Sequence, residues 1–221
     1  MTNHKKTYLI LILSILILSI FVNLAIKKNS KIKINNKTQP IINSQITPIN
    51  IEKNDIILGN PGAPITIIEF LNIGTCKEKC RINQQKIMNF VKQNPQKVRL
   101  VWKDAPDSSL FFSSGNELAH VTAYCAGTQG KFWDFINLIT NSKDKINEDK
   151  LYNSFINLNI SESFMKSCLE SKQSTAKVGS SFDLYRSLGL RGNLNLFINN
   201  KLIFLEDDRD ILEILNRLLE E

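Results

Sequence analysis

Histidine is nearly missing from this chain. Two occur in 221 residues, and because His4 precedes the apolar N-terminal run, His120 is the only imidazole in the remainder. No Ser-His-Asp arrangement, phosphate loop or zinc-ligand spacing stands out, so the common hydrolytic, nucleotide-binding and structural-zinc readings lose their motifs, and nothing in the chain calls for a cofactor. A basic stripe interleaved with aromatics is also lacking. The net charge of +7 comes from lysines that are scattered or flank the N-terminal run, which excludes nucleic acid as an expected partner and suits solubility and anionic lipid headgroups. No internal repeat points to a second module. Hydrophobic and charged fractions of 43% and 22% are those of an ordinary globular chain, and the length fits one domain with a non-globular extension.

Residues 8–26 are apolar except for Ser14, Ser19 and Asn23. At about 1.5 Å per helical residue such a run nearly spans a hydrocarbon core of roughly 30 Å. It predicts a membrane helix, and with no small-x-small cleavage site behind it, residues 1–28 read as a retained signal-anchor. Lys5 and Lys6 precede it and Lys27 and Lys28 follow it, so the positive-inside rule says nothing about orientation. Residues 29–54, rich in Asn, Lys, Gln and Pro, read as a linker to a domain over 55–221.

Within that domain, residues 65–70 (ITIIEF) predict a buried strand and residues 76–93 a helix with Ile82, Ile87, Phe90 and Val91 inward, ended by Asn94-Pro95. Residues 98–103 (VRLVWK) predict the strand that completes a parallel crossover unit. Helical periodicity then runs through 117–126, 131–140, 149–158, 161–171 and 175–188, an insertion over about 113–188 with Gly127, Gly130 and Gly189 as stops. Strands over 195–198 and 202–205 are joined by a hairpin turn at Asn199-Asn200-Lys201. A last helix is capped by Asp207 and turns Ile211, Leu212, Leu215, Leu218 and Leu219 inward. Asp208, Trp102 and Trp133 need no role beyond capping and packing. This order predicts an α/β fold, a mixed sheet covered on both faces, similar to the thioredoxin fold with a helical insertion.

Four cysteines carry the candidate chemistry. Thr75-Cys76-Lys77-Glu78 fits a capping box, with Thr75 as N-cap and Cys76 as the first helical residue. Free N–H groups and the positive helix end favour a thiolate there, with Lys77, Lys79 and Arg81 acting in the same sense and Glu78 against them. Cys76 is then the nucleophile, and Cys80, one turn on, the resolving thiol. A static disulfide, two unrelated thiols or a metal site are the other readings of a C-x-x-x-C spacing. Cys125 and Cys168 read as a structural pair closing about 44 residues, with two buried free thiols as the alternative. Two pairs fit an oxidising compartment, which would put the domain outside the membrane.

Residues 56–220 resemble the DsbA-like thiol-disulfide oxidoreductases of the thioredoxin superfamily. The similarity rests on GNPGAP before ITIIEF, on KVRLVWKDAP over 97–106, on AYCAGTQGKFW over 123–133, and on LGLRG followed by NLNLFIN over 188–199. It implies exchange of disulfides with protein thiol substrates, catalytic Cys76 and Cys80, a membrane redox partner, and in some relatives a second disulfide at the positions of Cys125 and Cys168. The family's cis-proline loop, which aligns substrate backbone, falls at Asn193 and Leu194, so those two are the implied substrate-binding residues. Leu194 itself predicts a trans bond, since cis before a non-proline costs about 2.5 to 4 kcal/mol. With the three-residue cysteine spacing, this departure keeps a non-catalytic binding module as a second reading. A membrane-tethered C-x-x-x-C domain is also similar to the SCO-type copper chaperones, for which His120 is the only available third ligand.

Overall fold

The computed structural model describes residues 48–106, 114–142, 146–203, 205 and 210–220. The predicted membrane helix over 8–26, the linker up to residue 47 and the predicted cap Asp207 lie outside them. Among the described residues no helix is long and apolar enough to cross a membrane.

Strands β1 (Ile56–Leu58), β2 (Ile65–Leu71), β3 (Val98–Asp104), β4 (Leu194–Ile198) and β5 (Lys201–Ile203) form one sheet in the order β1-β3-β2-β4-β5. β2 and β3 run parallel, Ile67 opposite Leu100, and the other pairs are antiparallel. The parallel pair follows from the crossover helix α1 (Glu78–Gln93) between them. The insertion comprises α2 (Ser114–Thr128), α3 (Phe132–Asn141), α4 (Glu148–Asn157), α5 (Glu162–Leu169) and α6 (Lys172–Ser187), and α7 (Ile211–Glu220) ends the fold. The expected mixed sheet with a helical insertion is therefore present.

Alternation along the strands divides the core. Ile67, Leu71, Leu100, Trp102, Leu196 and Ile198 face a large cluster with α1, α7 and the insertion, while Ile68, Phe70, Val101 and Phe197 face a smaller one with Leu184, Tyr185 and Leu188 at the end of α6. Trp102 joins sheet to insertion through an edge contact with Phe132, ring centroids 5.1 Å apart.

Several expectations are corrected. β1 was not foreseen, because three residues are too few for a period; it pairs with β3, and the turn after it needs Gly59, where φ is +89° and a Cβ would lie 2.5 Å from the Val98 carbonyl oxygen. Of residues 48–54, expected in the linker, Ile49 and Ile51 pack against the smaller cluster. Ile49 is buried, and Asp55 joins buried Lys103 at 2.7 Å to Lys177 at 3.2 Å, which also meets Glu52. Burial works against the charge on Lys177, but Asp55 and Glu52 outweigh it and raise its pKa. Asp210 accepts from the Leu212 N–H at 3.0 Å at the start of α7, a capping contact expected of Asp207. Ile82 is 48% exposed, and the inward position on α1 belongs to Gln84, which continues through Ile87, Met88 and Val91. The hairpin closes on Asn199 and Asn200 alone, both left-handed (φ 47° and 64°), with Lys201 already in β5.

Cys125 on α2 and Cys168 on α5 form a disulfide across 43 positions, Cα atoms 5.9 Å apart. The chain-entropy model assigns such a loop about 4 kcal/mol. The double variant Cys125→Ala/Cys168→Ala is expected to lose up to about that much in urea unfolding; an unchanged midpoint would deny the bridge a stabilising role.

Candidate active site

The six residues between the end of β2 at Leu71 and the start of α1 at Glu78 carry Cys76, while Cys80 lies in the first turn of the helix. The two are joined in a disulfide with Cα atoms 5.3 Å apart. Four residues of α-helix rise about 6 Å, so a pair this close is better served with one member outside the helix. Cys76 accordingly lies two residues ahead of α1, which corrects its placement as first helical residue. The capping box does not form either: the helix begins later, with Lys77 as an N-cap that makes no side-chain capping bond, and the Thr75 hydroxyl donates to Asn193 Oδ1 at 2.7 Å.

That bond is one of a set holding the loop. Asn193 Nδ2 donates to the Thr75 carbonyl at 3.0 Å, and the Asn193 carbonyl accepts from the Asn72 N–H at 2.9 Å. Asn72 Oδ1 accepts in turn from the Thr75 N–H at 3.2 Å. On the other side the Ile73 N–H donates to His120 Nε2 at 3.2 Å, and His120 Nδ1 lies 2.8 Å from Asp104 Oδ1, which also accepts from Trp102 Nε1 at 2.9 Å. His120 is fully buried with both ring nitrogens engaged, so it is not free to serve as the third copper ligand. Among the described residues no group of three or more His, Cys, Asp or Glu side chains is placed to hold a metal.

Cys76 lies just ahead of α1, where the positive end of the helix dipole favours an anionic sulfur. Cys76 keeps 9% of its surface exposed and Cys80 somewhat more. Lys77, Glu78 and Lys79 around them are exposed. On the other flank of the loop a cavity of about 390 Å³ is lined by Asn72, Tyr185, Arg186, Arg191 and Asn193 among others. Asn193 thus borders a cavity but spends its side chain on Thr75. Leu194 opens β4 opposite Leu71, half-buried against the large cluster, and no peptide bond among the described residues is cis.

One residue of the site was not singled out from sequence. Glu69 is buried on β2 on the α1 side, and the Gln84 amide, turned so that its nitrogen faces the carboxylate, donates to both its oxygens, 2.7 Å to Oε2. Gln84 lies one turn beyond Cys80 on α1. Burial pushes the Glu69 carboxyl up to about 8, against the lowering effect of Gln84. The signal was available: Glu69 is the lone charge in ITIIEF, at the same inward parity as Ile67.

The sequence matches the thioredoxin family over residues 52–217. The chain belongs to the thioredoxin family. No curated protein sequence matches it. Among solved structures it is similar to a thioredoxin-like oxidoreductase from Silicibacter pomeroyi, at 23% identity over 77% of this chain and 95% of that one, TM-score 0.64. It is also similar to the thiol-disulfide exchange protein alpha-DsbA2 from Wolbachia pipientis, at 20% identity over 76% and 87%, TM-score 0.63. Oxidised BdbD from Bacillus subtilis matches at 18% identity over 75% and 92%, TM-score 0.61. The DsbA-like resemblance thus holds for the fold, and within this thioredoxin-family chain the disulfide joins the loop after the first long core strand to the first turn of the helix that follows it.

The raised Glu69 pKa sets a pH dependence. A carboxyl that titrates near 8 when folded and near 4.5 otherwise binds its proton more tightly in the native state, so its contribution is complete below about 4.5 and is lost as pH rises through 8. Glu69→Gln is therefore expected to match the parent chain in unfolding free energy at pH 4 and to exceed it by a few kcal/mol at pH 9. A constant difference across that range would refute the buried-acid assignment.

Proposed function

We propose that the protein is a thiol-disulfide oxidoreductase of the DsbA type, held at the membrane by residues 8–26 with its domain in an extracytoplasmic, oxidising compartment. The observation that carries the reading is the Cys76–Cys80 disulfide at the start of α1, with the buried Glu69–Gln84 pair one turn further along the helix. In the oxidising direction a substrate thiolate attacks Cys76 Sγ, the Cys76–Cys80 bond breaks, and its electron pair leaves on the Cys80 sulfur. A second substrate thiolate then attacks the substrate sulfur of the mixed disulfide and releases Cys76 as a thiolate, which the helix end stabilises. Glu69, protonated near neutral pH, supplies the proton that Cys80 takes up. Direction depends on the relative stability of the dithiol and on the redox partner. Cys125 and Cys168 take no part and brace the insertion, while the cavity beside Asn193 receives the substrate segment.

A second reading, a thioredoxin-family fold kept as a binding surface, is favoured by the engagement of Asn193 with Thr75 and Asn72. Insulin reduction and oxidation of a reduced protein substrate separate the two. Loss of at least a hundredfold in rate is expected for Cys76→Ser, with Cys80→Ser accumulating a mixed disulfide that Cys76→Ser does not. Equal rates for the parent and Cys76→Ser would leave the binding module as the reading.

A further inference from the structure

Helix α2 belongs to the insertion, yet two of its residues one turn apart close on the loop that carries Cys76. Asn116, 5% exposed, packs so tightly on Gly74 that a Cβ there would lie 2.1 Å from Asn116 Oδ1. His120 accepts the Ile73 N–H. Accepting requires a free lone pair on Nε2, so the ring proton resides on Nδ1, where Asp104 receives it, and Trp102 Nε1 holds the same Asp104 oxygen from the other side. Asp104 thereby selects the one tautomer able to hold Ile73.

We propose that His120 is a positioning residue of the Cys76–Cys80 couple: through Ile73 it holds the loop in the conformation of the closed disulfide and biases the couple toward its oxidised form. This rests on the redox reading of the pair. Reduction by two glutathione thiols gives two cysteine thiols and one glutathione disulfide, and the two protein sulfurs then move apart to van der Waals contact. Cys80 is built into α1, so the movement falls on the Cys76 loop. Ile73 lies three residues before Cys76, its side chain buried in the large cluster, and its amide has a buried acceptor in His120. A shift of the loop away from its closed-disulfide position lengthens that bond, which sets the oxidised form below the dithiol.

The test equilibrates the full chain, in detergent, with glutathione buffers and counts Cys76 and Cys80 thiols by alkylation and peptide mapping, apart from Cys125 and Cys168. His120→Leu is expected to shift the equilibrium constant toward the dithiol by about three- to tenfold, the scale of one hydrogen bond. His120→Gln, whose amide oxygen offers an acceptor near the Nε2 position, is expected to stay within about twofold of the parent. Equal constants for all three, or equal shifts for both variants, would overturn the proposal. If His120→Leu does not fold, ¹⁵N spectra of the parent decide: an unprotonated Nε2 coupled to the Ile73 amide when oxidised, with the coupling weakened on reduction, supports it, and a protonated Nε2 or an unchanged coupling overturns it. A parent pair that never exchanges with glutathione would sink the redox reading itself, a failure visible before any variant is compared.

Discussion

The connection between β2 and α1 runs partly through protein rather than water, and its backbone amides need acceptors there. Those acceptors come from two sides: Asn193, just before β4, takes the Asn72 amide, and His120 on α2 takes that of Ile73. The loop that carries Cys76 is thus clamped between the sheet and the insertion. The clamp holds Thr75 against Asn193, two residues short of the N-cap at Lys77, and the late start of α1 and the loss of the capping box go with it.

A second regularity is where the molecule buries polar groups. Glu69 with Gln84 lies beneath the first turns of α1, and Asp104 with His120 and Trp102 lies against the loop. Buried ions and amides are costly unless paired, and each of these is paired within its own small network. Both networks end within one helical turn, or three residues, of a cysteine. A third, Asp55 with Lys103 and Lys177, lies on the other face of the sheet and serves to fasten the N-terminal segment. The two networks near the cysteines are therefore anchored on different strands of one sheet, β2 for the buried acid and β3 for the aspartate that orients the imidazole.

The loop before β4 is built differently from the one implied by the resemblance. With a trans bond at Leu194 and the side chain of Asn193 turned inward to Thr75, the loop before β4 supports the cysteines from behind. The cavity flanked by Arg186 and Arg191 is left as the open surface on that side.

Much of the architecture could be read from the chain. The crossover unit, the helical insertion, the final hairpin and the helix after it were legible because each rests on local periodicity or turn chemistry, as with ITIIEF, Asn94-Pro95 and Asn199-Asn200. The cysteine pair was legible in place, between a strand and a helix, for the same reason. What the chain could not display were the partners: Thr75 meets Asn193 at a separation of 118 positions, Ile73 meets His120 at 47, and Glu69 meets a glutamine that periodicity had not turned inward. Local sequence determined which elements form and where along them the cysteine pair falls. Tertiary packing alone decided where α1 begins, which carboxyl keeps its proton and which imidazole nitrogen stays bare, because each depends on burial and on hydrogen bonds from residues far along the chain.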